Sequence, residues 1–279
     1  PDSARPWVYW FWLNGNITSN GGSTITERGT VWKYTAGVPI SDNKLTEGGT
    51  STGVFSHLRS GFTPQTQVFT RAFATNSAGT GFTGEISFYT LSLEPIGHVT
   101  GFSAAATGNT AINLSWSAAS AGATGYLILM KPGATAPTGL PSDGTAYSEG
   151  NTIGDGLIVS IVTPASLLTS NISGLSPGTT YSFTIFPYAW DGSHPETYNY
   201  YTHPVVPVAS ATTTGTPSSV YTWIGADNGA WGTASNWSPT RTTPAATDIL
   251  QFNDGTTKTI TGLTTQSIAR FVMSNNTTI

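Results

Sequence analysis

The sequence predicts an all-β chain of tandem β-sandwiches followed by a short further β segment, and three observations carry that prediction. Short apolar–polar alternations recur along all 279 residues, with almost no helical periodicity between them. One pattern is used twice: Gly61-Phe62-Thr63-Pro64-Gln65-Thr66-Gln67-Val68 and Gly174-Leu175-Ser176-Pro177-Gly178-Thr179-Thr180-Tyr181 both run Gly, apolar, hydroxyl, Pro, a polar spacer, then an alternating strand. A Pro turn feeding a half-buried strand at two places means serially repeated β modules. Charged residues make up only 9% of the chain, against about 25% in an ordinary soluble domain. The surface is therefore covered by Thr, Ser, Asn and Gly, which suits sheets whose outer faces carry β-branched hydroxyls.

The elements follow in order from the alternating runs at residues 30–36, 65–75, 111–117, 125–130, 157–162 and 180–189, with Gly, Pro, Asn and Asp filling the gaps. A lone sheet leaves one apolar face in water, so many short strands favour sandwiches. Leu93-Glu94-Pro95-Ile96-Gly97 separates the first block from the second, and residues 212–219 are a Thr/Gly/Pro/Ser stretch that can bury nothing. These breaks predict a first module at 7–93, a second at 95–214, a linker at 215–219 and a Trp-rich β segment at 220–279. Pro95 and the stretch before Val220 are the expected hinges, because few contacts are expected to cross them. The aromatic N-terminal segment, residues 1–18, is expected to supply the first strand of module one over residues 7–17, with alternate aromatics buried.

Composition also excludes function classes. A net charge of −4 and a pI near 5.4, with the ten Lys and Arg scattered, give no footprint for nucleic acid. No apolar run approaches the roughly 18 residues of a membrane span, and no Lys/Arg-led signal peptide opens the chain, which reads as a mature or excised piece. Zero cysteines removes disulfides, thiol nucleophiles and thiolate metal sites together. His57, His98, His194 and His203 sit at no metal-ligand spacing and are expected in loops. Asp191-Gly192-Ser193 and Asn253-Asp254-Gly255 are oxygen-rich turns that suit either calcium or a plain Asx turn. There is no nucleophile elbow and no phosphate-cradling loop. Asn16-Ile17-Thr18 and Asn171-Ile172-Ser173 fit the glycosylation triplet, frequent by chance in such a chain.

Within 95–214 the residues resemble a family. Ala111-Ile112-Asn113-Leu114-Ser115-Trp116 looks like the second strand of a fibronectin type III (immunoglobulin-like) domain, Gly125-Tyr126-Leu127-Ile128-Leu129 like its third, and Leu175-Ser176-Pro177-Gly178-Thr179-Thr180-Tyr181 like its tyrosine corner. The resemblance implies structural roles for Trp116, Tyr126, Leu175, Pro177 and Tyr181: a buried indole between the sheets and a Tyr181 hydroxyl satisfying an upstream backbone group. Residues 131–173 exceed the family's usual connection, and Ala146-Tyr147, Gly154-Asp155-Gly156 and Leu157–Val162 suggest an inserted hairpin, similar to variants in secreted proteins of Bacteroidota-type bacteria. The first module resembles the family more loosely, through Gly22–Trp32 and Arg71–Gly79. Its corner elements are Phe62, Pro64 and Val68, and Val68 keeps the apolar contact of the corner tyrosine but loses its hydroxyl. That corner is expected to be weaker by about one hydrogen bond, on the order of 1 kcal/mol.

Two further resemblances are shorter. Residues 3–18 look like the start of α-L-rhamnosidase-like glycoside hydrolases, but a glycosidase needs paired carboxyl groups and the fourteen acids are dispersed with no candidate pair. Tyr221-Thr222-Trp223-Ile224-Gly225, Gly229-Ala230-Trp231 and Ala234-Ser235-Asn236-Trp237-Ser238-Pro239 resemble the entry to an autotransporter-like β-helix, expected to be truncated or to fold back, since a solenoid rung cannot bury its face alone. Trp223, Trp231 and Trp237 are the candidate glycan contacts; the competing reading makes them core plugs, where each large ring is worth several kcal/mol of burial.

Together these readings predict a non-catalytic extracellular adhesion or spacer segment of a bacterial surface or secreted protein, a monomeric string of modules meeting polysaccharide or a surface protein. No cofactor, metal, nucleic acid or membrane insertion is implied. The alternative is an accessory carbohydrate-binding part of a secreted glycoside hydrolase whose catalytic domain lies elsewhere.

Overall fold

The computed structural model describes residues 10–203, 205–215 and 219–279. Residues 1–9 of the aromatic segment and most of the 215–219 linker lie outside these. Within them the chain is all-β, a series of sandwiches and ladders joined by turns.

The first sandwich comprises β1 (Trp10–Ile17), β2 (Glu27–Lys33), β3 (Leu45–Thr46), β4 (Gly53–Ser60), β5 (Gln67–Asn76), β6 (Gly79–Phe82) and β7 (Ile86–Tyr89). β1 and β4 pair antiparallel as one sheet; the other runs β3-β2-β5-β6, with β7 also on β5. Alternation places Leu13 inward while Trp12 faces solvent, and Leu13 meets Trp32, Phe62 and Val68 between the sheets. His57 does not lie in a loop as expected. It sits on β4, its Nε2 2.6 Å from Thr30 Oγ1, and burial, then the charge of Arg59, holds it below the usual imidazole range.

The second sandwich comprises β8 (Thr100–Ala106), β9 (Ile112–Ser117), β10 (Gly125–Pro132), β11 (Thr152–Ile153), β12 (Gly156–Val162), β13 (Thr169–Ile172), β14 (Thr180–Ala189), β15 (Asn199–Tyr200) and β16 (Val208–Thr212). Its sheets are β13-β9-β8 and β11-β12-β10-β14-β15, with β16 also on β14. Ile112, Leu114 and Trp116 alternate into the core, where the Trp116 ring meets Tyr126 edge-on at 5.4 Å. β10 and β14 are buried on both faces nearly throughout. The outer face is covered by residues of the 133–156 and 190–206 segments, which enclose a second apolar cluster of Leu127, Leu129, Ile153, Phe186, Tyr188 and Tyr200.

The C-terminal part carries β17 (Val220–Trp223), β18 (Gly229–Ala230), β19 (Trp237–Ser238), β20 (Ile249–Phe252), β21 (Ile260–Thr261) and β22 (Arg270–Met273). Here the pairing changes character: β17, β20 and β22 form a parallel ladder, and β18 pairs parallel with β21. Successive passes of the chain stack on one another, so each pass buries its inward residues, such as Trp223, Leu250 and Phe252, only because a neighbour covers them.

The two corner motifs coincide bond for bond. Thr66 and Thr179 each donate a hydroxyl proton to the carbonyl of the preceding Pro, at 2.9 and 3.0 Å. Two buried threonines that the sequence pattern did not single out, Thr90 and Thr213, buckle the corners. Their hydroxyls accept from Thr66 and Thr179 N–H at 3.0 and 2.9 Å, and donate to Thr63 and Ser176 C=O at 2.7 and 2.6 Å. Gln65 and Gly178 occupy the same turn position with φ of +55° and +57°, a conformation natural to Gly and strained for Gln.

The expectation that the first corner lacks one hydrogen bond is corrected. In the second corner Tyr181 Oη accepts from Ser176 N–H at 3.0 Å. In the first, Thr63 N–H donates to Tyr34 Oη at 2.7 Å. The hydroxyl lost at Val68 is supplied from the end of β2, by a side chain that packs on Trp32 at 5.1 Å. Tyr34→Phe is therefore expected to lower the stability of the first sandwich by about 1 kcal/mol, and Tyr181→Phe to do the same in the second. Chemical denaturation followed module by module checks both.

Candidate functional site at the sandwich junction

The junction is built from the end of β7 and from the segment between β14 and β16. Asp191 organises that segment. Its Oδ1 accepts from Ser193 and His194 N–H, both at 2.8 Å, and its Oδ2 lies 2.6 Å from His194 Nδ1. A 3₁₀ turn over Pro195–Thr197 follows, locked by Thr197, whose hydroxyl donates to His194 C=O at 2.8 Å and accepts from Asp191 N–H at 3.1 Å. Burial alone raises the Asp191 carboxyl, but the hydrogen bonds from His194 and Ser193 outweigh it and bring it down to about 2.

This turn lies against the first sandwich. The His194 ring stacks on Tyr89 at 4.0 Å and 19°. Ser92, 0% exposed, is satisfied at every polar atom. Its N–H donates to Thr197 C=O at 2.9 Å, its C=O accepts from Asn199 Nδ2 at 2.7 Å, and its hydroxyl accepts from Gln65 Nε2 at 2.9 Å. Thus the corner of the first sandwich and the β14–β16 segment of the second meet on one residue. Beyond it, His203 lies 3.8 Å from the Glu94 carboxylate across the break, and within the second sandwich Ile96 N–H donates to Ala121 C=O at 2.9 Å and His98 Nε2 lies 3.0 Å from His203 C=O. The expectation that few contacts cross at Pro95 is corrected: the two hydrogen bonds on buried Ser92, the Tyr89–His194 stack and the His203–Glu94 contact all cross there.

A folded carboxyl held at about 2 stabilises the turn above the ordinary aspartate range near pH 4, and that contribution is lost as pH falls through 2. Acidification from pH 5 to pH 2 is therefore expected to loosen the Tyr89–His194 contact before the sandwich cores melt, and exchange rates of the Ser193 and His194 amides check it.

Beside the junction, aromatic rings stack in series. Trp190 lies over Tyr198 at 4.9 Å and 15°, and Tyr198 over Tyr200 at 5.6 Å and 10°. Tyr200 is buried, its hydroxyl donating to Thr145 C=O at 3.0 Å, and burial, then neighbouring Tyr198, pushes its phenol up. Burial likewise raises Tyr188 to about 12. Trp190, Tyr198 and Tyr147 remain half-buried. The aromatics crowded between Tyr188 and Tyr201 are the signal in the sequence that could have announced this stack, and it was passed over.

Of the residues singled out in sequence, Phe62, Val68, Trp116, Tyr126, Leu175 and Tyr181 are all buried, while Pro64 and Pro177 form the turns that present the corner bonds. Trp223, Trp231 and Trp237 do come together, but at 2, 5 and 2% exposure, edge-on to one another at 5.1 Å. The glycan-contact reading of these three is corrected: no indole face is open for a sugar to stack on. The Asx-turn reading fits both oxygen-rich turns, since Asp254 Oδ1 accepts from Thr256 N–H at 3.2 Å as Asp191 does from Ser193. Among the described residues no helix is long and apolar enough to cross a membrane.

No protein-family model and no curated protein matches the chain. Among solved structures, the chain is similar to the FN1–FN3 domains of chicken CNTN1, at 15% identity and a TM-score of 0.36, covering 68% of this chain and 54% of that one. It is also similar to the structure named FN3tt, at 20% identity and a TM-score of 0.26, covering 42% of this chain and 91% of that one. The chain thus spans about half of the CNTN1 structure.

Proposed function

We propose that the chain is a non-catalytic spacer of a bacterial surface or secreted protein, in which residues 10–215 work as a stiff extracellular rod that holds neighbouring parts apart and offers its sides for protein or glycan contact. One observation carries this reading: Ser92 is sealed between the sandwiches, with its backbone and hydroxyl all bonded across or beside the junction. Sandwiches that merely follow one another on a chain need no such seal, and the default for neighbouring domains is relative motion. A rod that transmits distance needs the seal. The low charge and hydroxyl-rich composition of the surface suit the outside of a cell. In the same reading, residues 220–279 open a solenoid by parallel stacking, continuing the rod.

Asn199→Ala removes the donor to Ser92 C=O and leaves a buried acceptor unpaired, a cost of about 1–3 kcal/mol confined to the junction. Spin labels on exposed residues of the two sandwiches are expected to give a single narrow distance in the wild type and a broad distribution in the variant, with both melting transitions retained. Equally broad distributions in both proteins would remove the spacer reading.

The carbohydrate-accessory reading is favoured by a different feature, the half-buried parallel pair Trp190–Tyr198, since rings of that kind offer a face to a pyranose. Titrating polysaccharides into wild type and Trp190→Ala while following Trp fluorescence separates the two: a saturable change abolished by the substitution supports glycan contact.

A further inference from the structure

In the second sandwich β9 is paired on both edges, by β13 on one side and β8 on the other. β8 also lies against β16 and so closes the seam between the sheets. The matching corners equate β5 with β14. β1 and β4 then stand where β9 and β13 stand, and β6 and β7, both paired with β5, stand where β16 stands. No described strand takes the place of β8: among the described residues, β1 pairs with β4 alone.

Among the described residues, the seam that β8 closes in one sandwich is open in the other. It holds two adjoining hollows of about 590 and 360 Å³, floored by β5 and walled by β1 on one side and the β6–β7 stretch on the other. Phe11 and Phe88 line the larger hollow and touch each other's rings at 4.5 Å. Trp12, Val54 and Ile86 rim it at 65, 75 and 65% exposure, so large apolar side chains gather in solvent along this seam.

We propose that this seam is a strand-acceptor site. It binds an extended strand of a separate polypeptide, which pairs with the free edge of β1 and takes the position β8 holds in the second sandwich. The main chain of β1 supplies the hydrogen bonds, and the hollows supply pockets for alternate side chains. β8 itself states the chemistry of the occupant: Phe102, Ala104 and Ala106 are its half-buried face, with the Phe102 ring edge-on to Trp116 at 6.3 Å. The fitting strand therefore carries an aromatic residue followed by small residues at every second position. This inference stands independently of the spacer reading, which concerns the other end of the same sandwich.

The test uses the whole chain and a fluorescent synthetic peptide spanning Val99–Thr107. Saturable binding, slower hydrogen exchange of β1 amides and a higher melting temperature of the first sandwich are expected. A peptide carrying Phe102→Asp is expected to bind at least tenfold more weakly, and Ile86→Asp in the protein to weaken binding as much while leaving the melting of the free chain unchanged. Val54→Asp is the second variant if Ile86→Asp fails to fold. A concentration-dependent dimer abolished by Ile86→Asp would make a second copy of this chain the occupant and overturn the assignment to a separate partner. Absence of binding, equal binding of the Phe102→Asp peptide, or β1 amides on the free edge already protected in the chain alone would each overturn it.

Discussion

Asp248→Ala is expected to unfold the C-terminal segment while the two sandwiches keep their own melting transitions. Asp248 and Arg241 are both buried, and the Arg241 Nε donates to Asp248 Oδ2 at 2.8 Å. The same carboxylate oxygen accepts from Ala245 N–H at 2.9 Å, and the Asp248 carbonyl accepts from Ala269 N–H at 2.9 Å. One residue thus ties the 241–247 loop to the start of β20 and to the pass that leads into β22. The guanidinium lies 5.8 Å above both the Tyr221 and Trp237 rings, so it cannot reach water by a small rotation without leaving them. Removing the carboxylate strands a buried cation, which costs about 3–5 kcal/mol, a loss that a small stack of short strands does not withstand. Hydrogen exchange of the β17 and β20 amides, compared with those of β10, reads the effect. A variant in which both sets keep wild-type protection would show that the pair contributes little.

Trp237→Ala is expected to have a similar cost for a different reason. The indole is among the largest fully buried side chains, packed edge-on against Trp223, Trp231 and Phe252 at 5.1, 5.1 and 5.6 Å, and its Nε1 donates to Trp231 C=O at 3.2 Å. Truncation leaves a cavity between four elements and a carbonyl without its partner, together about 3–5 kcal/mol. The substitution also discriminates between the two roles that sequence alone left open for this residue. An exposed stacking platform loses ligand and keeps its melting temperature, whereas a core plug loses the fold. Intrinsic fluorescence and thermal melting of the variant, followed together, give the answer.

The sequence carried the sheet architecture well because alternation and Pro turns are local. The runs at 111–117 and 180–189 needed no distant information to be recognised as strands, and Trp116 and Tyr181 were legible from the residues immediately around them. What was not legible depends on distance along the chain. The Tyr34 hydroxyl substitutes for a corner tyrosine from 29 positions away, and nothing local to Val68 announces it. Ser92 and Asn199 meet across 107 positions, with a serine and an asparagine of no distinctive pattern. Thr90 and Thr213 were passed over for the same reason: a threonine that buckles a corner looks like any other in a Thr-rich chain until its partners are in place. The three C-terminal tryptophans were found as a group, but only the parallel ladder of β17, β20 and β22 shows that the group points inward.

The open seam beside β1 belongs to the same class of feature. It is visible only by comparing two sandwiches of one chain that share a corner and differ by a strand. The site invites a strand because the neighbouring module already shows what fills it, so the chain carries its own template for the occupant.

The account stands most heavily on the junction, where an insertion of the second sandwich grips the end of the first. Residual dipolar couplings measured for backbone amides of residues 27–89 and 100–189 in one aligned sample test it directly. If the Ser92–Thr197–Asn199 seal joins the sandwiches into one body, both sets fit a single alignment tensor; two tensors of clearly different magnitude would show the modules moving independently and contradict it.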